Sequence, residues 1–345
     1  MHANHSQAVN RKPRILVIGG GSGVQRVLKG LFSYDVSLQA GVTIFDNGGD
    51  AGFFRIRDNC PSFGDIARAI VPFSPRTSIT NRFERPINFE GGVHKVRNIK
   101  SSQLYHACDK DFGLTIDRFH EWLNTSGGEA IPASLKQAHL YARLENGEVI
   151  CGETKIDVPE HDGTKRIAQI WLEPSVPANP RFLRAIADAD MIVFSIGDLH
   201  TSVFAAMLPE GVKTTIMRSR AEKVLMLNLM TKYGETYRFR LEDFVEEYAR
   251  FFNGVDVIDR ILVNSTIPSA HAQALYRDEH ANWIWVDPNK SVFSDRLAYH
   301  PLLARSERAR HDPVLIGQAF ATMFPDYFPS MLTVTEKVEV ELMRA

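Results

Sequence analysis

"ILVIGGGSGVQRVLKGL", Ile15–Leu31, is the stretch whose reading decides the fold. An apolar run, Arg14–Ile18, closes on Gly19, Gly20, Gly21, Ser22 and Gly23. Val24, Val27, Leu28 and Leu31 then recur at i, i+3, i+4 and i+7, the spacing of a helix folding back onto a buried strand. Glycines between a strand and a helix let backbone N–H groups approach an anion, and the helix N-terminus adds partial positive charge. The loop is therefore read as a phosphate site, with Gly20, Gly21, Ser22 and Gly23 as its ligand residues. No G-K-[ST] follows, which excludes a P-loop. Val24 stands where the dinucleotide fingerprint needs its third glycine, so NAD is not expected. Asp46, placed like a ribose-binding acid, is the one point in favour of an NAD-dependent oxidoreductase.

Outward from this loop, a second apolar run, Val42–Phe45, ends at Asp46 and enters "DNGGDAG". Asp46, Asn47 and Gly48 read as a second polar arm facing the glycine loop. Further strands are expected at Met191–Ile196, Lys213–Met217, Lys223–Leu227, Arg260–Asn264 and Trp283–Asp287. Helical patterns lie between several of them, the clearest in "LEDFVEEYARFF", with Gly254 as its stop. Apolar strands alternating with helices predict an α/β fold, Rossmann-like, with a mostly parallel sheet covered by helices on both faces. From about 74 to 136 the chain reads as a helical insertion, its best helix within Thr115–Leu123. His139–Glu153 reads as a β-hairpin around Asn146-Gly147. Residues 1–12 are read as a disordered tail and 13–345 as a single domain.

Composition narrows the function classes. Lys+Arg (40) and Asp+Glu (41) nearly cancel, so nucleic acid is not expected as a partner. Three cysteines without a C-x-x-C pair suit a reducing, cytoplasmic location. No run reaches membrane-spanning length, so no membrane partner is expected. The twelve histidines form no metal-binding spacing, and no Ser/His/Asp order is legible. Phe53-Phe54 and "FPDYFP" read as packing.

"IGGGSGVQRVLKGL", "DNGGDAG" and "CPSFGDIARAI" resemble three successive motifs of the YvcK/CofD-like superfamily, GGGTG, DDGGSSG and PPGDIR. The likeness continues in order through "IPAS", "NGEVICGE", "SIGDLHTS", "NLMTKYGET", "ILVN" and "RHDP". The N-L-M-T-x-x-G-E-T run points to the gluconeogenesis-factor branch. That resemblance implies a Rossmann-like homodimer that binds a UDP-sugar and regulates carbon and cell-envelope metabolism. The related branch implies an enzyme instead: a Mg²⁺-dependent transferase moving a phospholactyl-type group from a nucleoside-diphosphate donor. In both, a nucleoside diphosphate lies across the carboxyl edge of the sheet.

Asp46 and Asp65 are the expected Mg²⁺ ligands, since Mg²⁺ takes one or two carboxylates together with phosphate oxygens. For Asp65 the competing role is helix N-cap. Thr201 and Ser202 are expected to open a helix whose N–H groups take a second phosphate or a ribose. Asn228 and Thr231 are expected at the base or ribose. By the resemblance, Tyr276 and Arg310 hold the UDP-sugar. Arg55, Arg57 and Arg68 are weaker phosphate candidates. Three departures stand out. Asn47 replaces an aspartate, Arg97 a glycine, and Gly197-Asp198-Leu199-His200 replaces G-P-G-S/N, making that ligand loop, with Asp198 in it, more acidic and bulkier.

Overall fold

The computed structural model describes residues 11–328. Its strands are β1 (Arg14–Gly19), β2 (Ser37–Val42), β3 (Pro86–Phe89), β4 (Gly92–Lys95), β5 (Gly128–Pro132), β6 (His139–Leu144), β7 (Val149–Cys151), β8 (Ile167–Glu173), β9 (Met191–Phe194), β10 (Glu222–Met226), β11 (Arg260–Asn264) and β12 (Leu297–His300). Seven of them form one sheet in the order β12-β11-β10-β9-β1-β2-β5. Every pairing in it is parallel. Side chains alternate across it as strand geometry requires. Ile15 and Val17 enter the core on one face, while Leu16 and Ile18 enter the core on the other.

β1 lies between β2 and β9, and its two neighbours are reached over opposite faces. Helix α1 (Gly21–Leu31), leading from β1 to β2, buries Val24, Val27, Leu28 and Leu31 in the first core. The chain leaving β9 buries Leu199, Val203, Phe204, Val212 and Ile216 in the second. Loops that part in this way leave a crevice at the carboxyl ends of β1 and β9, where ligands of open α/β sheets bind.

Two smaller sheets flank the main one, the hairpin β3–β4 and the antiparallel β7-β6-β8. The first and last described helices meet in the first core. The helix Pro313–Met323 packs on α1 so closely that a Cβ on Gly317 would lie 2.5 Å from the Gly30 carbonyl oxygen.

Most of the expected elements are present, including the 139–153 hairpin with Gly147 at φ +88° and the Gly254 stop at φ +85°. Four boundaries differ. Lys213–Met217 lies inside a helix, Val212–Arg218, because its buried residues are Val212 and Ile216, four apart. Trp283–Asp287 makes only a single bridge, Met230 to Trp283; Ile284 donates its N–H to Leu229 O instead (2.9 Å). The seventh strand is β12, which carries no apolar run and was not expected. The 74–136 stretch holds helices Val96–Ala107 and Phe112–Leu123, but also β3–β4, and it ends by adding β5 to the main sheet. Of the expected 1–12 tail, residues 1–10 lie outside those described; Arg11 pairs with Asp190 (2.6 Å).

Candidate functional site

Gly20 is the point where four elements converge. A Cβ there would lie 2.6 Å from Asp65 Oδ2, 2.7 Å from Thr43 Cγ2 and 3.3 Å from Ser202 Oγ. The loop after β1, the end of β2, helix α3 (Gly64–Ile70) and the π-helix Leu199–Phe204 therefore meet around one residue without a side chain. Gly21 adopts φ +58°, a conformation costly for other residues, and no atom but Asp65 Oδ1 lies within 4 Å of where its Cβ would be. Gly23 has a different role. A Cβ there would collide with the Ile196 carbonyl, so Gly23 lets α1 start hard against the end of β9.

Asp65 is buried in the first turn of α3, and the N-cap is Phe63. Its competing role as a cap is thus excluded. Burial raises its carboxyl pKa to about 6; Asp46 adds to the rise, and Arg68 and the Gly21 N–H oppose it. Arg68 Nη1 lies 3.2 Å from Asp65 Oδ1. Asp46 accepts the Gly48 N–H on Oδ1 (2.8 Å), and its Oδ2 lies 3.4 Å from where a Gly64 Cβ would be. A third carboxyl, Glu153, is pushed up by burial and by Asp46, with which it shares a hydrogen bond. Asp46, Asp65 and Glu153 thus stand together beside the glycine loop.

Asn47 faces the other way. Its Oδ1 accepts the Thr154 N–H (3.0 Å) and hydroxyl (3.2 Å), so it ties the second glycine arm to the residues after β7. Arg55 is buried and donates to the Ala138 and Asp46 carbonyls. Arg57 pairs with Asp58 and Glu90, which occupies it away from the loop.

The loop after β9 is held by the protein's own charges. Glu235 accepts the His200 N–H (2.7 Å) and the Thr201 hydroxyl (2.6 Å). The Thr201 N–H, one of the helix N–H groups expected to meet a phosphate or ribose, also faces this carboxylate from the next loop (3.4 Å). Ser202 remains turned toward Gly20. His200 is buried between Glu247 (2.9 Å) and Glu235 (3.6 Å). Burial opposes its charge, but the two carboxylates outweigh that and hold its pKa at about 9. Asp198, Asp157 and Glu235 bring carboxylate oxygens within 4.8 Å of one another, a spacing suited to a cation. Lys232 supplies one. Its Nζ lies 3.0 Å from Asp198 Oδ1 and bonds Asp157 as well.

The remaining expected ligand residues are largely engaged with backbone. Asn228 clamps Gly197, accepting its N–H (3.0 Å) and donating to its carbonyl (2.7 Å). Thr231 accepts the Asn282 N–H on its hydroxyl (2.9 Å). Tyr276 donates its hydroxyl to Ala309 O (3.0 Å), beside exposed Arg310. Sequence reasoning missed Glu153, Asp157, Lys232 and Glu235. Glu153, Lys232 and Glu235 lie inside quoted motifs, but only the fold shows which partners they face.

The chain matches the family described as 2-phospho-L-lactate transferase CofD over residues 15–300. It is 30% identical over 317 residues to the gluconeogenesis factor of Halalkalibacterium halodurans, covering 90% of this chain and 96% of that one. The gluconeogenesis factor of Listeria monocytogenes is 31% identical over 259 residues, 74% of this chain and 78% of that protein. A solved structure of a Bacillus halodurans protein of the upf0052 family superposes with a TM-score of 0.82 at 29% identity, covering 90% of this chain and 98% of that chain.

Two outcomes follow for the frame of the site. Gly23→Ala should destabilise the fold by about 3 kcal/mol or more, since the obstructing atom is backbone and cannot step aside; urea unfolding checks this. His200, raised above its unfolded value of about 6.5, gives stability that is full below that pH and lost as pH rises through about 9. Wild-type unfolding free energy should fall over that window. His200→Leu should cost about 1.5–3 kcal/mol at pH 6.5 through its lost charge-assisted hydrogen bond to Glu247, since Glu247 keeps Arg250 and Glu235 keeps Thr201, and should flatten the dependence.

Proposed function

Because the chain belongs to the YvcK/CofD-like superfamily, among the gluconeogenesis factors, we propose that it binds a nucleoside-diphosphate ligand, a UDP-sugar, and acts as a regulator of carbon and cell-envelope metabolism. The observation that carries this reading is the convergence at Gly20. A strand end and two helix starts pack closely around Gly20, and beside them the loop turns Gly21 toward open space, with Asp65 Oδ1 the nearest atom at 3.8 Å from where a Cβ would be. A diphosphate suits it. It is anionic, it is matched by N–H groups at the start of α1, and its two phosphates span adjacent loops. The chemistry of the pocket wall also limits the ligand: the nearest carboxyl, Asp65, already accepts the Gly21 N–H, so an incoming phosphate meets a carboxylate as well as donors.

That juxtaposition supports a second reading, a Mg²⁺-dependent transferase. A carboxylate raised to about 6 by burial and by a neighbouring aspartate is one that a cation would stabilise, and Asp46 and Asp65 have the chemistry to hold Mg²⁺ beside phosphate oxygens. Mg²⁺ bound there supplies neutralisation of charge on the phosphates. The chain's own residues would orient the diphosphate through the glycine loop and keep Asp65 in place through Arg68. Under either reading the protein is cytoplasmic and a homodimer, with neither nucleic acid nor membrane as partner.

A thermal-shift panel of UDP-sugars, UDP, GDP and NAD, each with and without Mg²⁺, tests the reading. A UDP-sugar at a hundred times its Kd should stabilise the protein by about 2.7 kcal/mol, while NAD leaves the melting curve where it was. Gly21→Val should abolish the shift; the strain of a β-branched residue at φ +58° lowers the melting temperature as well, so circular dichroism of the free variant is needed to show that the fold survives. By calorimetry, Arg310→Ala should weaken UDP-sugar binding tenfold or more, about 1.4 kcal/mol, and Asp65→Asn should leave Mg²⁺-free binding within twofold. Metal-dependent turnover seen by mass spectrometry and lost in Asp65→Asn would replace the regulator with the transferase.

A further inference from the structure

At the amino ends of the strands, opposite the crevice, lies a cavity of about 400 Å³. That volume falls within the range of small-molecule sites, about 300–1,000 Å³. Its floor comes from three strand starts. Arg14 of β1 lies in register with Ser37 of β2, and Gln39 of β2 with Glu129 of β5. By strand alternation these residues share the sheet face of Leu16 and Ile131. The wall is the helix Pro180–Asp188, which turns Phe182 and Ile186 into the second core. Toward the cavity it presents Arg181, Arg184, Ala185 and Asp188, the i, i+3, i+4, i+7 stripe of one helix face.

The charges around this cavity are matched except at one place. Arg14 pairs with Asp188 (3.3 Å), and Arg181 pairs with Glu129 and with Asp117 (2.5 Å). Among the described residues Arg184 has no ion-pair partner within 4.0 Å, although it lines the same space. Its planar fork matches a carboxylate through two parallel hydrogen bonds. Glu129 and Asp188 in the same lining disfavour a doubly charged phosphate, so a single negative charge fits best. The floor is suited to hydroxyl groups. Ser37, Gln39 and Glu129 offer donors and acceptors side by side. Gln39 Nε2 reaches Glu129 Oε2 only at 3.5 Å, a contact loose enough for an incoming hydroxyl to take its place.

We propose that this cavity is a second ligand site, for a small polyhydroxylated monocarboxylate, with Arg184 holding the carboxylate and Ser37, Gln39 and Glu129 the hydroxyls. It is independent of the nucleoside-diphosphate reading, since it shares no residue with the glycine loop. The two sites lie at opposite ends of β1: Arg14 opens the strand and Gly19 closes it.

The test is calorimetric titration of wild type, Arg184→Gln, Arg184→Lys and Gln39→Leu with gluconate, acetate, sorbitol and inorganic phosphate. Gluconate carries the whole chemistry, acetate the carboxylate alone, sorbitol the hydroxyls alone, and phosphate the second charge. Wild type should bind one gluconate per chain, at least tenfold more tightly than any of the other three. Arg184→Gln should weaken gluconate tenfold or more; Arg184→Lys, which keeps the charge but not the fork, should fall between. Gln39→Leu should weaken gluconate severalfold and leave acetate unchanged. Arg184 is exposed, so the melting curves of its free variants should stay within a few degrees of wild type and separate lost contact from lost fold. Wild type without saturable gluconate binding, or Arg184→Gln with undiminished affinity, would overturn the site. Phosphate bound as tightly as gluconate and lost in Arg184→Gln would overturn the monocarboxylate class. Gluconate displaced by UDP would belong to the crevice, and the second site would fall.

Discussion

The start of α1 rests on the Ile196 carbonyl, and the architecture of the crevice depends on that contact. A helix N-terminus can approach a neighbouring strand end this closely only where there is no Cβ, and Gly23 meets the condition. With α1 fixed there, Gly20 becomes the common neighbour of Asp65, Thr43 and Ser202, and Gly21 is turned into its left-handed conformation facing open space. The open position beside Gly21 is thus a by-product of how tightly two secondary elements can be stacked.

The residues that depart from the motifs of the superfamily are not loose ends, because each has acquired a partner. Asn47 holds Thr154 through both its N–H and its hydroxyl. Asp198 meets Lys232, and His200 meets Glu247 and Glu235. Arg97 is buried and pairs with Glu84, which also faces Arg68 (3.6 Å) and Lys95 (3.1 Å). The loop after β9 is consequently held by ion pairs, with its amide groups at His200 and Thr201 closed off by Glu235.

How much of this was legible in the sequence follows from the range of the forces involved. The strand–glycine–helix units and the 139–153 hairpin are local: periodicity and turn residues within a dozen positions specify them. The helix at Val212–Arg218 was misread because Thr214, Thr215 and Ile216 favour strands by propensity, whereas tertiary burial of Val212 and Ile216 selects the helix. β12 was missed because its half-buried residues show no apolar pattern; only its neighbour β11 makes it a strand. In the site, the glycine loop and Asp65 were readable as chemistry at short spacing. Glu153, Lys232 and Glu235 were not, since their meaning lies in carboxylates and amides 34 or more positions away in the chain. Asn228 and Tyr276 commit their polar atoms to backbone, an engagement that no short-range pattern specifies.

The Gly30–Gly317 contact between the first and last helices has a consequence for how the chain reaches its structure during synthesis. The apolar face of α1 emerges early, yet the helix that covers it is separated from it by nearly the whole length of the polypeptide. Contacts of such sequence separation carry a large loop-closure cost and form late. Val27, Leu28 and Leu31 can pack early against the neighbouring strands and the Gly64–Ile70 helix, but the last layer on α1 closes only after residue 313 and beyond have left the ribosome. Arg26 meets the His311 carbonyl in the same event. A prematurely terminated chain would therefore leave α1 bare at Gly30 and its arginine without that backbone partner.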